Sequence, residues 1–115
     1  MSDDHRFAAH LAEDLSPEDF RHVLGLLRDD LVKLTGNLEA AAAVGDETVF
    51  RKVAHGIAGS ASTAGPYELE QAARSAMTRP SDGPPLIAMA ADIRRMVDAV
   101  LVRIEGTLRE DGADA

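Results

Sequence analysis

Residues 16–44 read SPEDFRHVLGLLRDDLVKLTGNLEAAAAV, and their spacing decides the fold. Phe20, Leu24, Leu27, Leu31, Leu34 and Leu38 return every three or four positions, which winds them onto one stripe of an α-helix at about 100° per residue. The start of that helix is marked chemically. Ser16 brings a hydroxyl to the first unpaired amides, Pro17 has no N–H to leave unsatisfied, and Glu18 and Asp19 put negative charge at the positive helix end. Gly36 weakens the run without ending it. Gly45 suits the left-handed residue that closes a helix, and Asp46 suits the N-cap of the next.

Outward from this stretch the same periodicity recurs. A segment over 47–64 closes at Gly65 and Pro66, and another over 67–78 carries Leu69, Ala72, Ala73 and Met77 on one side. The breaker TRPSDGPP at 78–85 precedes a last helix over 85–109, with Leu86, Met89, Ile93, Met96, Val97, Val100, Leu101 and Ile104 inward. The terminal EDGADA is expected to fray. Residues 3–14 suit a short helix using Phe7, Leu11 and Leu15. No segment alternates with period two and no internal repeat is found. These readings predict an all-α fold: one domain over 1–115, with a short N-terminal helix (1–15) capping an antiparallel up-down four-helix bundle (16–109) and a frayed tail (110–115).

Composition agrees. Aromatic residues are only 3% of the 115 and Trp is absent, so the core falls to Leu, Ala, Val, Ile and Met, which helices pack readily. With no cysteine there is no disulfide framework and no thiolate metal site, as suits a reducing compartment. The opening MSDDHRFAAH is charged where a signal peptide would be apolar, and no stretch approaches the roughly 20 apolar residues of a membrane span, so a cytoplasmic location is expected. A net charge of −8, with 12 Lys and Arg that form no continuous stripe, argues against a nucleic-acid partner. A complete four-helix bundle buries its own core, so a monomer is expected.

The chemistry concentrates at His55, in VAHGIAGSASTAG. On a helical wheel Phe50, Val53, Ala54, Ile57, Ala61 and Ala64 fall within about 100° of arc, and His55 lies about 150° from its centre, facing solvent. Arg51, Lys52, Gly59 and Ser62 surround it one or two turns away, with Ala58 on the flank. An interior helical glycine costs about 1 kcal/mol relative to alanine, and this helix carries Gly56 and Gly59. One compensation is close approach of another protein's surface to the imidazole. The other is close packing of two helices within the bundle, with His55 an ordinary solvated residue.

The stretch AAAVGDETVFRKVAHGIAGSASTAGPYELEQAARSAM (41–77) resembles the histidine-containing phosphotransfer (HPt) domain, whose motif reads His, any residue, Leu, Lys, Gly, Ser or Ala, with a later glycine before the next helix. His55, Ile57, Gly59, Ser60, Ala61 and Gly65 match, and Leu69 and Ala73 continue the pattern. The family's lysine three residues after the histidine is Ala58 here. The resemblance implies that His55 receives a phosphoryl group from the aspartyl phosphate of a response-regulator receiver domain and passes it on, with no kinase or nucleotide-binding domain of its own. A hybrid histidine kinase is a further implied partner. Mg2+ and the acidic phosphoryl pocket belong to the receiver, so no cofactor or metal site is implied in this chain. The missing lysine charge falls to Arg51 or Lys52, each about one turn before His55, unless these only solubilise the helix. Receiver docking is expected on His55, Ala58, Gly59 and Ser62, extended by Phe7 and Leu11.

Other classes fit less well. The phosphoacceptor helix of a sensor kinase usually has an acidic residue after its histidine, where Gly56 stands. Acyl carrier proteins need Asp-Ser-Leu at a helix start, and Ser60 and Ser62 are mid-helix. His5, His10, His22 and His55 have no metal-ligand spacing, and Met77, Met89 and Met96 sit at core spacing. The main alternative is a degenerate HPt-like adaptor that binds a receiver or kinase without carrying phosphate. A plain interaction bundle with an incidental histidine is a third reading.

Overall fold

A computed structural model describes residues 15–64 and 66–113, and among them the backbone forms helices and no strand. These are α1 (Pro17–Val44), α2 (Glu47–Ala64), α3 (Tyr67–Met77) and α4 (Leu86–Ala113). The helix expected over 3–14, with Phe7 and Leu11, lies outside the described residues, as does Gly65.

Local chemistry sets each boundary. The Ser16 hydroxyl accepts from the Asp19 amide at 3.1 Å and Pro17 opens α1. Gly45 closes it at φ 72°, which glycine adopts without steric cost. Its N–H donates to Ala42 O at 3.2 Å, while the Asp46 N–H reaches Ala41 O at 2.9 Å. Asp46 then caps α2, accepting from the Val49 amide at 3.1 Å. Between α3 and α4 the loop is held by Arg79, which donates to Pro84 O at 2.5 Å, Gly83 O at 3.2 Å and Glu47 at 2.7 Å. α4 continues to Ala113, so the backbone of 110–113 is helical where fraying was expected. Gly112 disfavours helix within this turn, while Arg21 of α1 donates to the Leu108 carbonyl at 2.6 Å just before it.

Around the bundle α1 packs on α2 and α4, and α3 packs on the same two helices, which makes a ring with α1 and α3 at opposite corners. Along α1 the ties to α4 run in reverse order: Arg21 to Leu108, Arg28 to Glu105 at 3.1 Å, and Glu39 to Arg94 at 3.3 Å. Hydrogen bonds that it donates to Glu105, then to Asp29, hold the Arg28 guanidinium above its ordinary pKa. The core draws on each expected stripe, with Leu24, Leu31 and Leu38 of α1, Phe50, Ala54, Ile57 and Ala61 of α2, Leu69 and Ala73 of α3, and Ile93, Val97 and Ile104 of α4 buried, while Phe20, Leu34, Val53, Ala72, Met77, Leu86, Met89, Met96 and Leu101 pack against it only partly buried. Fully burying each Leu or Ile contributes about 1.5–3 kcal/mol. Thr35 is buried among them, and its hydroxyl oxygen has no hydrogen-bond partner among the described residues. No helix among the described residues is long and apolar enough to cross a membrane.

Candidate functional site

α2 presents its apolar arc to the bundle and leaves His55 exposed on the outer face, as the wheel requires. The two glycines beside it differ. A Cβ on Gly56 would meet the Leu34 methyls of α1 at 3.3 and 3.4 Å, so this glycine lets α1 and α2 pack closely. A Cβ on Gly59 would meet nothing within 4 Å, so Gly59 leaves bare surface one helical turn from the imidazole. Helix packing thus accounts for Gly56, and access from outside remains the account of Gly59.

The expected docking residues divide. Gly59 and Ser62 are exposed with His55, but Ala58 is 3% exposed and drops out of the outward surface. Gly56 and Ser60 face α1, the latter donating to Asp30 at 2.8 Å. Ala58 lies on the other flank of α2, which is covered by its remaining neighbour, α3. A lysine at this position would have to start inside that seam. The Ser62 hydroxyl bonds back to the Gly59 carbonyl at 2.9 Å, and Thr63 shares that acceptor at 3.1 Å.

The two expected phosphate-holding cations also divide. Arg51 donates to the Arg79 carbonyl at 2.6 Å and lies 3.8 Å from Glu47, so it belongs to the clasp on the 78–85 loop. Lys52 is exposed and makes no hydrogen bond or ion pair among the described residues. Of the two, Lys52 is the cation whose ammonium is uncommitted among the described residues.

A feature the spacing analysis passed over is a shallow groove of about 450 Å3 between α1 and α2, whose α2 wall is Ser60 and Thr63 in the helix that carries His55. Val23, Leu26, Lys33, Ser60 and Thr63 line it, together with Asp29 and Asp30. Leu26 is 56% exposed. Its signal was in the sequence: Leu26 sits about 120° from the middle of the α1 stripe, where a purely solvated helix face would be polar. Tyr67, at the start of α3, is 64% exposed. Among the described residues no three His, Asp or Glu side chains gather as a metal site would require.

Compared with known proteins, the chain matches no family model, no curated protein and no solved structure.

Proposed function

We propose that this chain is a phosphorelay intermediate of the HPt kind, an antiparallel up-down bundle whose His55 accepts a phosphoryl group from a receiver aspartyl phosphate and returns it to another receiver. The observation that carries this reading is an exposed imidazole on a packed helix, with bare Gly59 one turn away. In-line transfer needs the donor phosphorus to come within contact distance of a ring nitrogen, and a side chain beyond glycine at position 59 would crowd that approach. The nitrogen lone pair forms the P–N bond as the P–O bond of the acyl phosphate breaks, and the electron pair leaves with the receiver's carboxylate. The ring's remaining N–H proton then passes to water. Lys52 supplies positive charge beside the transferred group, and Mg2+ belongs to the receiver. The receiver seats on His55, Gly59 and Ser62, with an apolar residue in the groove beside Leu26. The same reading makes the chain a cytoplasmic monomer without kinase activity, with a hybrid kinase among its partners.

Two observations favour a second reading, an adaptor that binds receivers without carrying phosphate. Ala58 replaces the motif lysine from a buried position, and Arg51 is engaged elsewhere. The discriminating experiment incubates the chain with phosphorylated receivers. Acid-labile, alkali-stable phosphate on the native chain and none on His55→Gln supports transfer. An unlabelled chain that still binds receivers establishes the adaptor, and a chain with no receiver affinity overturns both.

A further inference from the structure

Met77 closes α3, and Met89 and Met96, seven residues apart, share one stripe of α4. All three are half-buried against the core. Their surroundings differ. Of the three, Met96 lines a recess of about 280 Å3 in the seam between α3 and α4. The floor of the recess is apolar, with Leu69 1% and Val100 4% exposed, and Tyr67 borders it with an exposed ring. Ala99, exposed beside them, carries only a methyl where a larger side chain would narrow the opening.

The helix on the other side of this recess depends on its packing. α3 has 11 residues, and Pro66 gives its first turn no side-chain cap. A helix this short is marginal by itself, so the apolar seam with α4 and α2 holds it in place. A thioether suits that seam as a soft apolar filler. Its sulfoxide is polar and needs a hydrogen-bond donor, which the side chains of Leu69 and Val100 do not offer. α3 also covers the Ala58 flank of α2, so a loosened α3 is felt by the helix that carries His55.

We propose that Met96 is an oxidation site for hydrogen peroxide, reached through the α3–α4 recess, and that its sulfoxide loosens α3. A water takes about 30 Å3 of liquid, so the recess admits peroxide with room to orient it against the sulfur. A lone pair of the thioether attacks one peroxide oxygen, and the S–O bond forms as the O–O bond breaks. The departing hydroxide takes the proton left on the transferred oxygen and leaves as water. Sulfur gives up two electrons and the peroxide accepts them. Met77 and Met89 have the same chemistry without the recess. The modification does not depend on His55 carrying phosphate.

The test treats the full chain with dilute hydrogen peroxide and follows each methionine by peptide mapping in a mass spectrometer. Met96 is expected to oxidise about threefold or more faster than Met77 and Met89. Ala99→Leu should slow Met96 towards the rate of the other two and leave theirs unchanged. Amide hydrogen exchange on the singly oxidised chain should speed by about fivefold or more across residues 67–77. Met96→Leu keeps the volume of the side chain and should hold its exchange steady under the same treatment. A Met96 rate no higher than those of Met77 and Met89, an unslowed Met96 in Ala99→Leu, or unchanged exchange in α3 after oxidation overturns the proposal. The three rates are compared within the native chain, so the test stays decisive should Ala99→Leu perturb the bundle.

Discussion

Arg51 donates to the Arg79 carbonyl at 2.6 Å, and Arg79 in turn grips Glu47 at 2.7 Å, so one arginine beside His55 serves the loop and not the imidazole. Helical side chains tilt toward the N-terminus, which carries the His55 ring over the turn that holds residues 51 and 52. Of those two, Lys52 has its ammonium uncommitted among the described residues.

The two cations should therefore separate in mutants. Lys52→Ala is expected to slow phosphoryl transfer to His55 by about threefold or more, the scale of one solvent-exposed charge-assisted contact. Arg51→Ala should leave transfer within about twofold of native and speed amide hydrogen exchange in residues 78–85. Timed transfer from a phosphorylated receiver, paired with exchange on the free chain, checks both. A transfer loss confined to Arg51→Ala would reverse the assignment.

Gly56 and Gly59 give a second contrast. Replacing an interior helical glycine with alanine gains about 1 kcal/mol in propensity, and Gly59→Ala, with nothing within 4 Å of the new methyl, should keep most of it. Gly56→Ala places its methyl 3.3 Å from Leu34, so packing strain offsets the gain and this variant should be the less stable of the two. Urea unfolding of both against the native chain measures the difference. Equal stabilisation would mean that Leu34 yields freely and that Gly56 is not a packing glycine.

Much of this architecture was legible in the sequence because helical period and cap chemistry are local. Ser16, Gly45 and Asp46 mark their boundaries by hydrogen bonds that span no more than five residues, and the Leu24–Leu31–Leu38 stripe needs only the pitch of a helix. The exposure of His55 followed from the same wheel. What the sequence did not show depended on neighbours. Ala58 lies near the boundary of the buried arc, where the position of α3 decides burial, and no periodicity within α2 contains that position. Arg51 was assigned by its distance from His55 along the helix, whereas its partner stands 28 residues away at Arg79. The α1–α2 groove likewise exists only once two helices are docked.

Thr35 supplies a prediction that concerns stability alone. Its side chain is fully buried and its hydroxyl oxygen is unpartnered among the described residues, which forfeits hydration without return. Thr35→Val keeps the branched shape, removes the polar atom and is expected to raise stability by about 1 kcal/mol. Thr35→Ser retains the hydroxyl, loses a methyl and should cost about 1 kcal/mol. Chemical denaturation of the two variants decides the matter, and a destabilised valine variant would show that the hydroxyl does find a partner in solution.

Leu26 tests the proposed docking surface without touching His55. It is 56% exposed on the groove between α1 and the His55 helix, so a polar replacement removes little folded-state packing. An apolar anchor at a small transient interface commonly contributes more than 1 kcal/mol, so Leu26→Asp should weaken receiver binding by about tenfold. Val32, 53% exposed on the same helix and not part of the groove lining, is the matched control, and Val32→Asp should bind nearly as the native chain does. Gly59→Arg should block the same partner sterically while remaining helical by circular dichroism. Calorimetric titration with a receiver that binds the native chain measures all three. Equal affinities for the Leu26 and Val32 variants would move the receiver off the α1–α2 groove, and an unaffected Gly59→Arg would move it away from His55 altogether.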